Sequence, residues 1–242
     1  MDESKGAFWG IGLGPGDPEL VTLKARRLIE EADCVVVPKS SIAGESLALE
    51  IARPFVGDKP VLEFEFPMRR DEKELVPYWV VAAKEIAARV GRGERVVFLT
   101  LGDCLTYSTY CYVLKELGKL LPETQIRSVP GVTSFAAAAA ATNFPLGEKD
   151  ERIAVVPVPR GDLAPVRRAL EEYDTVVLMK VAKQLAAVVR LLQEMGLDRD
   201  AVFASHVSQD GEFITWDLES LLDNERGYLS VILVRKRAGE HR

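Results

Sequence analysis

The sequence predicts two α/β domains, the first built on a mostly parallel sheet and the second on a mixed one. Three observations lead there. Short β-branched runs alternate with longer helical patterns along the whole chain, the signature of strand–helix units. Several of the strand runs are continuously apolar, such as Cys34-Val-Val-Val37 and Val96-Val-Phe-Leu99. Strands of that kind are covered on both faces, as parallel strands are. Third, Pro130-Gly131 interrupts the pattern near the middle of 242 residues, a length that suits two domains.

In order, the first domain (1–128) has strands at Ala7–Leu13, Cys34–Pro38, Val61–Phe64, Val96–Leu101 and Gln125–Val129. Helical stretches lie between them at Leu20–Ala32, Ser46–Ala52, Leu75–Val90 and Leu105–Leu120. In the first helix Val21, Ala25, Leu28 and Ala32 recur at helical spacing and form one core-facing stripe. The second domain (129–242) opens on a small-residue helix, Thr133–Thr142. Strands follow at Ile153–Val158, Thr175–Met179, Ala201–Ser205, Glu212–Trp216 and Leu229–Val234, with helices at Leu163–Glu172 and Ala182–Met195. The turn signal Gln209-Asp210-Gly211 predicts that the strand after it pairs antiparallel with the strand before it.

Composition excludes several functions. The net charge is −6, and lysine and arginine are scattered in short clusters, whereas a nucleic-acid binder shows a basic excess or stripe. A local basic pocket for an anionic small molecule remains open on an acidic protein. No apolar run reaches the roughly 18 residues of a membrane span, and the opening MDESKG does not read as a secretory signal. Three cysteines without a CxxC pair point to a reducing cytoplasm. Two histidines, His206 and His241, argue against a histidine-rich metal site.

Three turns carry the chemistry. The first strand runs into Gly10-Ile-Gly12-Leu-Gly14-Pro15-Gly16-Asp17-Pro18. Glycine there permits positive φ and close approach of a ligand. The spacing is not that of a dinucleotide site, because Pro15 removes an amide and the second strand ends in Pro38-Lys39 without an acidic partner. The second turn, Leu101-Gly102-Asp103-Cys104-Leu105-Thr106-Tyr107-Ser108, ends a parallel strand, where open α/β sheets bind ligands. Asp103 there suits either a ligand contact or a helix N-cap, and Tyr107 and Tyr110 suit a site or packing. The third turn, Pro130-Gly131-Val132-Thr133-Ser134, offers amides and hydroxyls to a polar ligand or to a helix cap.

Taken together, GxGPGDP, Gly-Asp-x-x-x-Tyr-Ser and Pro-Gly-Val-Thr-Ser, in this order, resemble the tetrapyrrole methylase family along nearly the whole chain. Val36-Val-Pro-Lys39 with Glu45–Ala52, Phe66-Pro-Met-Arg-Arg-Asp71 and Leu101–Thr109 resemble one branch of it, the precorrin-2 C(20)-methyltransferases. Cys104 stands where the family usually has proline.

The resemblance implies an S-adenosylmethionine-dependent enzyme of cobalamin biosynthesis. It implies a homodimer, with the active site in the cleft between the two domains. The implied donor contacts are Pro15, Leu101, Gly102, Asp103, Thr106, Thr133 and Ser134, with Met179 and Val207 from the second domain. Asp103 and Tyr107 are the candidates for a base that removes the meso proton. The anionic tetrapyrrole, with eight carboxylates, calls for cations, first Arg69 and Arg70, then Lys39. The acceptor is precorrin-2 or its cobalt counterpart. Other readings are a methylase of the same superfamily acting at another ring position, on diphthamide or on ribosomal RNA, a non-catalytic nucleotide-binding module, and a dinucleotide oxidoreductase.

Overall fold

The computed structural model describes residues 6–39, 46–67, 72–223 and 229–236. The chain divides into two compact units, Met1–Thr133 and Ser134–Arg242. The division therefore falls after Thr133, and Pro130-Gly131 belongs to the first unit, because the backbone of Gly131 packs on that of Gly12 and Gly102.

The first unit runs β1 (Ala7–Gly12), α1 (Leu23–Glu31), β2 (Cys34–Lys39), α2 (Leu47–Val56), β3 (Val61–Glu65), α3 (Glu72–Gly91), β4 (Arg95–Thr100), α4 (Tyr110–Leu117) and β5 (Ile126–Val129). The sheet order is β3-β2-β4-β1-β5, with every pair parallel. Both faces are apolar, which is why the strand runs are continuous. Ile11, Val35, Val37, Val97 and Leu99 meet the residues of α1 and α2 on one face. Phe8, Cys34, Val36, Val96 and Phe98 meet those of α3 and α4 on the other. Burying each such Val, Leu or Phe contributes about 1.5–3 kcal/mol.

This winding creates a crevice. The helix after β1 packs on one face and the helix after β4 on the other, yet β1 and β4 are neighbours. The two turns leave the same edge in opposite directions, which is where such sheets take ligands.

The helix starts differ from the sequence pattern for local reasons. Asp17 caps a short 3-10 turn, Pro18–Leu20, accepting from the amide of Glu19 at 2.8 Å. Thr22 then caps α1 through the amide of Ala25 at 3.1 Å, so α1 begins at Leu23 rather than Leu20. Helix α4 begins at Tyr110 rather than Leu105, because Ser108 accepts from the amide of Tyr110 at 3.2 Å and residues 101–109 stay a turn. Helix α2 continues through Pro54 to Val56.

The second unit runs α5 (Ser134–Thr142), β6 (Ile153–Pro157), α6 (Ala164–Glu172), β7 (Thr175–Met179), α7 (Leu185–Glu194), β8 (Ala201–Ser205), β9 (Phe213–Thr215) and β10 (Ser230–Arg235). Its sheet is mixed, in the order β6-β7-β10-β8-β9. Strands β6 and β7 are parallel, and β10 is antiparallel to both β7 and β8. Strand β9 pairs antiparallel with β8, as the Gln209-Asp210-Gly211 turn predicts. Helices α6 and α7 cover one face.

Glycine is required twice on β1. Tyr110 is fully buried under that strand, against Phe8 and Phe98, and a Cβ on Gly10 would run into its ring. Gly10→Ala is expected to lower stability by about 1–3 kcal/mol through overpacking. In denaturant unfolding the loss should shrink when Tyr110 is also truncated to Ala. Additive losses in that double-mutant cycle would remove the steric explanation.

Candidate active site

The three turns found in the sequence come together at the carboxyl edge of the first sheet. Strands β4, β1 and β5 are adjacent, so the turns that follow them are neighbours. Gly14 and Gly102 form a two-way backbone bridge, Gly102 N donating to Gly14 O at 2.7 Å and Gly14 N to Gly102 O at 3.1 Å. Both take positive φ, 83° and 70°, the region glycine enters freely. A side chain on Gly12 would start 2.6 Å from Gly102 O and 2.7 Å from Gly131 N. The turns thus touch backbone to backbone.

Asp103 ties the second turn to the third. Its Oδ1 accepts from the amide of Leu105 at 3.0 Å and from the hydroxyl of Thr106 at 2.9 Å. Its Oδ2 accepts from the amide of Gly131 at 3.1 Å. It does not cap α4, which begins only at Tyr110. Pro15 is buried, while Leu101, Gly102, Asp103, Thr106 and Thr133 are half-buried and reachable. Nothing lies within 4 Å of where a side chain on Gly102 would begin, so a ligand can approach that backbone. Tyr107, at φ 52°, is 45% exposed beside it.

Beneath the turns lies a polar layer that sequence reasoning missed. The hydroxyls of Thr100 and Ser108 are 2.9 Å apart and buried. The hydroxyls of Tyr110 and Ser128 are also 2.9 Å apart. The signal available was Gly10 and Gly12 on one strand, since glycine inside a strand marks close backbone approach. Burial raises the Tyr110 phenol to about 12, against the opposing hydrogen bond from Ser128. Burial, then the Asp103 carboxylate, raises the Cys104 thiol to about 11. That thiol donates to the carbonyl of Val129 at 3.3 Å, so it is neutral and inert at neutral pH.

Lys39 ends β2 and is exposed. Val36 pairs with Phe98, which carries Lys39 to the level of Leu101 on the same sheet edge. Arg69 and Arg70 lie outside the described residues. In the second unit, Ser134 opens α5. Met179 ends β7 half-buried, and its carbonyl accepts from the amide of Val158 at 2.8 Å. Val207 is buried between His206 (φ 49°) and Ser208 (φ 62°). Val231 of β10 pairs with Met179 on one side and Ala204 on the other, so Met179 and Val207 lie at the same end of the second sheet. Among the described residues no cluster of His, Cys, Asp or Glu suits a metal ion, and no helix is long and apolar enough to cross a membrane.

The family model of the tetrapyrrole (corrin/porphyrin) methylases matches residues 7–222. The chain belongs to this family. It is 35% identical over 234 residues to the cobalt-precorrin-2 C(20)-methyltransferase of Salmonella typhimurium, covering 96% of this chain and 97% of that one. It is 32% identical to the probable cobalt-precorrin-2 C(20)-methyltransferase of Methanocaldococcus jannaschii, covering 94% and 95%. The fold of this tetrapyrrole methylase matches the solved uroporphyrin-III C-methyl transferase of Thermus thermophilus complexed with S-adenyl homocysteine. That match has a TM-score of 0.65 at 22% identity, over 96% of this chain and 98% of the other.

The raised thiol and phenol make the methylase sensitive to alkali. A group whose pKa is higher folded than unfolded stabilises the fold fully below its unfolded value, and that stability is lost as pH rises through the folded value. For Cys104 the window runs from about 9 to about 11, and for Tyr110 from about 10 to about 12. Chemical denaturation is expected to show stability falling across pH 9–12, less steeply in Cys104→Ala. Ultraviolet titration should leave one tyrosine un-ionised until unfolding. Ionisation of every tyrosine below pH 11 in folded protein would contradict the buried network.

Proposed function

We propose that this chain is an S-adenosylmethionine-dependent C-methyltransferase that methylates carbon 20 of precorrin-2 or cobalt-factor II in cobalamin biosynthesis. The observation that carries the proposal is the meeting of the three glycine turns around Asp103. It stands in a chain whose relatives at 32–35% identity are named as cobalt-precorrin-2 C(20)-methyltransferases. The half-buried backbone at Leu101–Asp103 and the open approach to Gly102 fit a donor held by main-chain contacts. By the family resemblance, Pro15, Leu101, Gly102, Thr106 and Thr133 of the first unit are the proposed donor contacts, and so are Ser134, Met179 and Val207 of the second.

S-adenosylmethionine, when bound, supplies a methyl group already activated by a positive sulfonium. The task left to the protein is alignment, which in favourable cases is worth about 7–11 kcal/mol. Asp103 serves it by holding the second and third turns together, its two oxygens engaged by three donors. We therefore assign Asp103 a positioning role and give Tyr107, exposed beside the turn, the candidacy for a base at the meso proton. Lys39, with Arg69 and Arg70, would meet carboxylates of the acceptor. The chain is inferred to act as a homodimer, as the family resemblance implies. A cytoplasmic setting accords with three free cysteines, Cys34, Cys104 and Cys111.

Calorimetry with S-adenosylhomocysteine is expected to give a 1:1 complex per chain, and labelled donor should transfer one methyl to precorrin-2 or cobalt-factor II by mass analysis. No heat at millimolar ligand would end the proposal. Asp103→Asn turns an amide N–H toward the amide of Gly131 or of Leu105. Affinity for S-adenosylhomocysteine should then fall roughly 10-fold, by the cost of an unmet hydrogen bond in a half-buried turn. Unchanged affinity would remove the positioning role.

A further inference from the structure

We propose that the carboxyl edge of the second sheet carries a carboxylate-binding subsite for the acceptor, built from Arg160, Lys180 and Lys183. The inference rests on the function proposed above. Strands β6 and β7 are parallel, with Pro157 paired to Met179, so the turns that follow them are neighbours, about 4.8 Å apart at their roots. They are fastened together. The side-chain amide of Gln184 donates to the carbonyl of Gly161 at 2.8 Å and reaches that of Pro159 at 3.5 Å, and Val158 N donates to Met179 O at 2.8 Å. The pair of turns is therefore one built surface.

That surface is cationic. Arg160, Lys180 and Lys183 are all exposed. The only carboxylate on the two turns, Asp162, accepts from the amide of Ala164 at 2.9 Å. The backbone of Lys180 is left-handed, at φ 59° and ψ 36°, a conformation that glycine takes without penalty and other residues take at a cost.

Charge selects the occupant. The donor carries an ammonium, a sulfonium and one carboxylate, and so is a net cation that three positive side chains repel. The acceptor is a polyanion, and charge-assisted bonds to carboxylates are the strong ones. The acceptor's carboxylates, not the donor's, are the fitting ligand.

The test uses the full chain, uroporphyrin III as a stable octacarboxylate probe, and S-adenosylhomocysteine as the donor probe. Lys180→Gly removes the charge and relieves the left-handed backbone, and Arg160→Ala is a second, independent variant. Each is expected to weaken uroporphyrin binding, read by fluorescence, roughly tenfold, one charge-assisted bond's worth, and to reduce its salt dependence. Lys180→Arg should retain most of the affinity. S-adenosylhomocysteine affinity by calorimetry should stay within about twofold, since no donor contact is lost. Uroporphyrin affinity unchanged in both variants, with wild type binding both probes, overturns the subsite and leaves the methyltransferase reading intact. A parallel loss of S-adenosylhomocysteine affinity overturns it by assigning the cations to the donor's carboxylate. Wild type binding neither probe overturns the methyltransferase reading and the subsite with it.

Discussion

The backbone contact among Gly12, Gly102 and Gly131 is the constraint on which the candidate site depends. A Cβ at Gly12 would start 2.6–2.9 Å from atoms of the other two glycines, closer than real side chains sit. Three turns that must touch through their main chains leave no room for side chains between them. The cost is conformational, because each glycine gives up more freedom on folding than any other residue. It is offset by bonds only close turns can make, namely the Gly14–Gly102 bridge and the Asp103–Gly131 link.

The winding of the sheet brings those turns to one place. Because β4, β1 and β5 are adjacent, residues distant in sequence meet at one edge. Because α1 and α4 leave to opposite faces, the edge stays open between them. Tyr110 adds depth to the arrangement. Its ring fills the space under Gly10 and its hydroxyl reaches Ser128 on β5, so the floor of the site and the core of the unit share one side chain. A change in that packing would be felt in the turn above.

The strands were legible because their signal is local. Continuous apolar runs at Cys34–Val37 and Val96–Leu99 follow directly from burial on both faces. The helix starts were less so: Thr22 and Ser108 act through single side-chain bonds, and periodicity does not register one hydrogen bond. For the site, the turns could be read from glycine spacing and family pattern, while the partners of Asp103 could not. The amide of Gly131 is 28 residues away, and no local pattern specifies which distant amide a carboxylate will meet. Tyr110 suits a site or packing by sequence alone, and its burial and its contact with Gly10 make it a packing residue.

Cys104 shows how one turn can be held by different means. Proline at this position, usual in the resembling family, stiffens a turn through its own ring. Here the thiol donates to the carbonyl of Val129 at 3.3 Å, and Val129 is the last residue of β5. The neighbouring Asp103 carboxylate reaches Gly131, two residues further on. The second turn therefore carries two adjacent links to the third, one from a neutral thiol and one from a carboxylate. Restraint that proline would impose within the turn is instead imposed between turns, which requires that the thiol remain protonated. Burial ensures this by raising it to about 11, so the same desolvation that removes Cys104 from chemistry keeps it available as a hydrogen-bond donor.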